Sequence, residues 1–214
     1  IGGMNTFMTE DKKWLDTGMR KVSPYFIPML ISNIASGNIA IRFKAHGPSM
    51  CIATACATSC NCIGEAYRAI RYGYADAMIT GGAEATINPL AVAGFMNCKA
   101  LTLESDPKKA SVPFDKNRSG FVMGEGGAMM VLEEYEHAVA RGAHIYAEIV
   151  GYGNTNDAHH MTAPDPNGEG AADVMLLAVE DAGLTPKDVD YINVHGTSTG
   201  LGDVAEPKAC LLYT

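Results

Sequence analysis

With 214 residues, 47% of them apolar, and a formal net charge of −8, the chain can bury a sizeable core, as one large domain or two small ones. The acidic balance disfavours non-specific nucleic-acid binding, and no apolar run is long enough to span a bilayer. Three of the six cysteines crowd at Cys56, Cys60 and Cys62, which argues against a disulfide framework and for a reducing cytoplasm.

In chain order, residues 9–18 read as a short helix bearing Lys12, Lys13 and Trp14, followed by Arg20-Lys21 and a turn at Ser23-Pro24. Residues 28–37 have helical spacing, with Pro28 in the first turn and Gly37 as the stop. A short β-prone run then meets the small-residue turn Thr54-Ala55-Cys56-Ala57-Thr58-Ser59 and passes into a helix ending near Gly73. Residues 75–82 read as a buried strand running into a glycine turn, and residues 101–118 as a loop. Residues 121–133 suit one strand whose Gly124, Gly126 and Gly127 mark a close-packed or bulged middle. Residues 134–141 form a helix closed by Gly142.

A second unit starts with a strand over residues 145–152 and a polar loop over 154–170. A helix over 171–182 stops at Gly183, and a buried strand over 189–194 ends in His195-Gly196-Thr197-Ser198-Thr199-Gly200. Strands alternating with helices predict an α/β fold with a layered sheet. There is no Walker A loop, and the glycines at 124–127 lack the βα context of a dinucleotide site.

Cys56 is the first candidate for chemistry. At a strand-to-helix turn, backbone N–H groups and the positive end of the helix dipole favour the thiolate, the nucleophilic form. The alternative is a buried structural cysteine, but Ala55, Ala57 and Ser59 leave room beside the sulfur. Metal binding by Cys56, Cys60 and Cys62 is disfavoured, because no CxxC pair or nearby histidine completes a zinc site. His159-His160 with Asp157 is a second possible ligand set, set against a structural loop.

Six motifs stand in order: Thr54-Ala55-Cys56-Ala57-Thr58, Gly81-Gly82-Ala83-Glu84, Pro113-Phe114-Asp115-Lys116-Asn117-Arg118-Ser119-Gly120-Phe121, Val131-Leu132-Glu133-Glu134, Asp157-Ala158-His159-His160-Met161-Thr162 and His195-Gly196-Thr197-Ser198-Thr199. Together they resemble the β-ketoacyl-acyl carrier protein synthases, condensing enzymes of fatty-acid synthesis, and most of all the elongating synthase II branch. The resemblance implies a partial thiolase-like layered αβαβα fold. Residues 1–143 would be the rest of an N-terminal half carrying the nucleophile, and 144–209 the start of a C-terminal half. The pentapeptide 210–214 resembles a translated sequencing adapter and is expected to be a non-native tail.

The resemblance also implies roles. Cys56 would take the acyl group, and His195 would polarise the malonyl group during a decarboxylative Claisen condensation. Thr162, Thr197 and Thr199 would hold the phosphopantetheine arm, which arrives on the carrier protein, so no cofactor or metal of the chain's own is implied. Ile1 matches an acyl-pocket gate, and Phe26 and Phe95 match pocket-lining aromatics, with Phe26 reaching across a homodimer. Arg20, Lys21 and Lys99 fall where the acidic acyl carrier protein docks, and Lys12 and Lys13 extend that basic cluster. Two departures concern local packing: Ser59 stands where glycine is usual and Asn61 where histidine is common. The family's second histidine and its lysine lie beyond Thr214, so these residues alone are expected to be inactive and to expose apolar surface. A polyketide condensing domain, which uses the same residues, is the alternative.

Overall fold

Helix α1 spans Met4–Thr17, so it starts five residues before the expected helix and ends one residue before it, with Gly18 as its cap. A one-turn 3₁₀ helix, Met19–Lys21, follows. The second helix lies later than its spacing implied: α2 is Ile34–Phe43, with Gly37 inside it. Residues 25–31 make separate i→i+3 and i→i+4 turns, such as Leu30 N–H to Ile27 O at 3.0 Å. Gly37 weakens a helix by about 1 kcal/mol relative to Ala, which does not suffice to end one.

The structure, a computed structural model, describes residues 1–213. It divides into two units, Ile1–Ala91 with Gly124–Ile145, and Val92–Met123 with the residues from Tyr146 on. The first unit is built on α3 (Thr58–Arg71) lying against β1 (Ala77–Glu84). β1 pairs antiparallel with β2 (Gly126–Glu133), in register from Ala77 opposite Glu133 to Glu84 opposite Gly126. The expected glycine turn after β1 is thus part of the strand. Gly82 is where α3 comes closest, since a Cβ there would collide with the Ser59 Oγ. β2 also starts later than expected, and added Cβ atoms at Gly124 and Gly126 would meet nothing, which removes the close-packing reading there.

Helix α4 (Pro89–Asn97) is followed by the single turn α5 (Pro107–Ala110), capped by the Asp106 carboxylate on the Lys108 N–H, inside the expected loop. α6 is Tyr135–Ala140. In the second unit, α7 (Glu169–Asp181) packs against α8 (Gly202–Tyr213) through the buried Ala172, Ala205 and Ala209. α8 runs on through Cys210, while Thr214 lies outside the described residues.

Three expected strands are not formed: the run before Cys56, residues 145–152 and residues 189–194. A strand exists through its ladder, and among the described residues the ladders are β1–β2 and one parallel bridge between Leu101 and Phe121. The expected apolar exposure is present. Every apolar side chain in the buried set is an alanine, while Met129, Met130 and Val131 of β2 are exposed. No helix among the described residues is long and apolar enough to cross a membrane.

Candidate active site

Cys56 sits in a one-turn 3₁₀ helix, Ala55–Ala57, that leads directly into α3. Its side chain is exposed, which sets aside the buried structural cysteine. Ala55 has φ 50°, a left-handed conformation that costs an L-residue about 1–2 kcal/mol. Thr54 is tied to α3 twice. Its N–H donates to Thr58 Oγ1 at 2.8 Å and its hydroxyl to the buried Asn61 Oδ1 at 2.6 Å. The residue capping α3 is Ala57, whose side chain accepts nothing, so no capping side chain claims the first N–H groups of the helix. A negative charge formed beside them is stabilised.

The other candidates of this unit lie as follows. The Ile1 carbonyl accepts the Ala85 N–H at 2.9 Å, next to the end of β1 that meets α3 at Gly82. Phe26 is half-buried, with its ring 6.3 Å from that of Phe7 on α1. Arg20 and Lys21 share one exposed turn. Lys13 is drawn out of the basic cluster by the buried Glu10, whose carboxylate it meets at 2.5 Å. That bond first, and then the Ser23 N–H, hold Glu10 below the usual carboxylate range.

His195 belongs to the second unit, and its turn is held from α8. Glu206 accepts the N–H groups of His195 at 2.5 Å and of Gly196 at 2.9 Å. Thr197 and Thr199 hydroxyls meet at 2.9 Å, so two of the three expected pantetheine contacts are adjacent. Thr162 is exposed and donates its N–H to His160 Nδ1 at 3.1 Å; no hydrogen bond among the described residues joins it to Thr197 or Thr199. Phe95 packs edge-on against Phe121, with ring centroids 5.3 Å apart. Lys99 is exposed and has φ 55°.

Three residues to which the sequence assigned no role, Arg118 of the third motif among them, organise this turn. Asp203, its side chain 0% exposed, accepts the N–H of Phe114 at 2.7 Å and of Ser198 at 3.1 Å, with Arg118 Nε 3.5 Å away. Arg118 in turn donates to the Thr199 carbonyl at 2.9 Å and the Gly200 carbonyl at 3.1 Å. Glu206 is the third. A signal for both acids was present: Asp203 and Glu206 stand one helical turn apart directly after a glycine-rich turn, where carboxylates meet free N–H groups.

These turns sit on an α/β chain whose fold is that of the ketosynthases. A ketosynthase solved with its type II polyketide acyl-carrier protein and bound to a hexaketide superposes with a TM-score of 0.91 at 34% identity, covering 97% of this chain and 52% of that one. A β-ketoacyl synthase from Burkholderia phymatum gives 0.88 at 39% identity, over 96% and 50%. The N-terminal domain of the β-ketoacyl synthases matches residues 1–138 and their C-terminal domain residues 146–211; the chain belongs to that family. Among curated relatives, 3-oxoacyl-[acyl-carrier-protein] synthase 2 of Staphylococcus aureus is 54% identical over 98% of the chain and 52% of its own length. The Vibrio cholerae protein of the same name is 52% identical over 97% of the chain and 50% of its length. The chain spans about half the length of the curated relatives it matches.

Proposed function

We propose that this chain supplies the nucleophile and one active-site histidine of a β-ketoacyl-acyl carrier protein synthase acting in fatty-acid elongation. Cys56 takes the acyl group as a thioester. Malonyl-carrier protein then loses carbon dioxide, and the carbanion attacks the thioester carbonyl. The C–S bond breaks, leaving β-ketoacyl-carrier protein and a thiolate that takes up a proton. Passing through a thioester splits one hard step into two easier ones. His195 donates a hydrogen bond to the developing enolate oxygen, and the Cys56 N–H serves the thioester oxygen.

The observation that carries this reading is the exposed Cys56 at the start of α3, beside N–H groups that no capping side chain claims. In the same reading Thr162, Thr197 and Thr199 bind the pantetheine arm, Ile1 gates the acyl pocket, and Phe26 and Phe95 line it. The exposed Arg20, Lys21 and Lys99 receive the carrier protein. The cofactor arm comes with the carrier, and the working protein is a cytoplasmic homodimer whose halves divide near residue 143. Identity of 54% to synthase 2 proteins, against 34% to the polyketide ketosynthase, supports fatty-acid elongation over the polyketide alternative.

Incubation of the full-length enzyme with an acylated carrier protein, followed by tandem mass spectrometry, tests the assignment. One acyl mass is expected on Cys56 and none after Cys56→Ala. Equal labelling of both proteins, or label on Cys60, rejects it.

A further inference from the structure

We propose that Asn61 is a positioning residue for the nucleophile, acting through Thr54; the inference rests on the reading of Cys56 as the acyl acceptor. The chain from Thr54 to Thr58 crosses Cys56 as a strained turn. Within the turn one backbone bond joins its ends, Ala57 N–H to Thr54 O at a long 3.2 Å, and Ala55 is in the left-handed region without glycine's freedom or a polar side chain to bond locally. Such a conformation persists only where its surroundings impose it.

The two bonds from Thr54 do so, and both land on α3. The Thr58 hydroxyl oxygen takes the Thr54 N–H, and Asn61, one turn further along, takes the Thr54 hydroxyl at 2.6 Å. Asn61 is 7% exposed while Thr54 and Cys56 are at the surface, so the anchor is buried and the anchored turn is not. Asn61 does not cap the helix, since the capping position is Ala57. Its acceptor is used on the residue two before Cys56. With that acceptor gone, the exposed Thr54 hydroxyl turns to water, the turn slackens, and the sulfur is no longer held at the exposed turn that leads into α3.

Alkylation by iodoacetamide, followed residue by residue with tandem mass spectrometry, tests this. Cys60 on the same helix and Cys98 in the other unit are both exposed and serve as references within each sample. Asn61→Ala and Thr54→Val are each expected to lower the Cys56-to-Cys60 rate ratio about tenfold, because the Cys56 sulfur is presented by the turn they hold and the Cys60 sulfur is not. The double variant is expected to lose no more than either single one, as two ends of one bond must. Thr54→Ser, which keeps the hydroxyl, is expected to keep the ratio. The proposal is overturned by an unchanged ratio in the single variants, by losses that multiply in the double, by loss in Thr54→Ser, or by Cys60 and Cys98 changing in step with Cys56. Iodoacetamide needs no acyl chemistry, so a failed acylation test alongside the expected ratios would sink the synthase reading and leave the clamp standing.

Discussion

Glu206 holds His195 by its backbone: one carboxylate oxygen accepts the His195 N–H at 2.5 Å, while the other takes the Gly196 N–H at 2.9 Å. Both oxygens of one side chain are therefore committed to the peptide that leads into Thr197. Glu206→Gln keeps one acceptor oxygen and turns the other into a donor, which faces an N–H. The expected result is a local loss of about 1–2 kcal/mol, read as roughly tenfold faster amide hydrogen exchange at His195 or Gly196. The Ser198 amide, bonded to Asp203 at 3.1 Å, is the control and should keep its rate.

Asp203 is the larger liability. Its buried carboxylate meets two N–H groups and lies 3.5 Å from Arg118, so it joins the loop at Phe114 to the turn at Ser198. Asp203→Ala leaves the buried Ser198 N–H, the part-buried Phe114 N–H and a part-buried guanidinium without that partner. A cost of about 3 kcal/mol is expected, read from the urea midpoint, because removing one side of a buried pair strands the other. Asp203→Asn keeps one acceptor oxygen and should lose less. Equal midpoints for wild type and Asp203→Ala would refute the account.

The elements legible in the sequence were those that need no partner. Apolar spacing placed α1, α3, α6 and α7, and the turn glycines marked where the last three end. Residues 145–152 and 189–194 have the composition of strands, but composition cannot supply the neighbour that makes a ladder. Gly81 and Gly82 were read as a turn because glycine signals both a bend and a close approach, and only the position of Ser59 decides between them. Cys56 and His195 were visible through residue type and motif. The roles of the side chains that hold their turns were not: Asp203 and Glu206 stand after a glycine-rich turn, a signal for helix-start carboxylates, but which N–H groups they meet, and that Asn61 takes a hydroxyl, is set by the fold.

The junction where β2 runs into α6 carries a pH-dependent share of stability. Glu133 meets Arg141 through two bonds, at 2.7 and 2.5 Å, and His137 Nδ1 at 2.5 Å. The Arg141 bonds first, and His137 after them, push the Glu133 carboxyl down to about 2. A carboxyl lowered on folding adds stability that is fully present above its ordinary value of 4.5 and is lost as pH falls through about 2. Glu133→Gln is therefore expected to be less stable than wild type at neutral pH, with the difference shrinking as the pH falls from 4.5 to 2. Urea melts across that range check it; a difference that stays constant with pH would contradict the assignment.

The contact between β1 and α3 makes the strand a determinant of where Cys56 stands. Gly82 has no space for a Cβ because the Ser59 Oγ occupies it, and Ser59 is three residues after Cys56. Gly82→Ala forces the Ser59 Oγ aside and crowds the Ser59 Cβ at the start of α3, at an expected cost of about 1–3 kcal/mol for overpacking. Ser59→Gly removes the obstructing side chain, at the smaller cost of a glycine within the first turn of a helix. In the pair Gly82→Ala with Ser59→Gly, the new methyl group enters the vacated space, so the double variant should be more stable than the sum of the two single losses predicts. Acylation of Cys56 should follow the same order, falling in Gly82→Ala and returning in the double. Strict additivity in the urea midpoints would mean that Ser59 and Gly82 do not share that space.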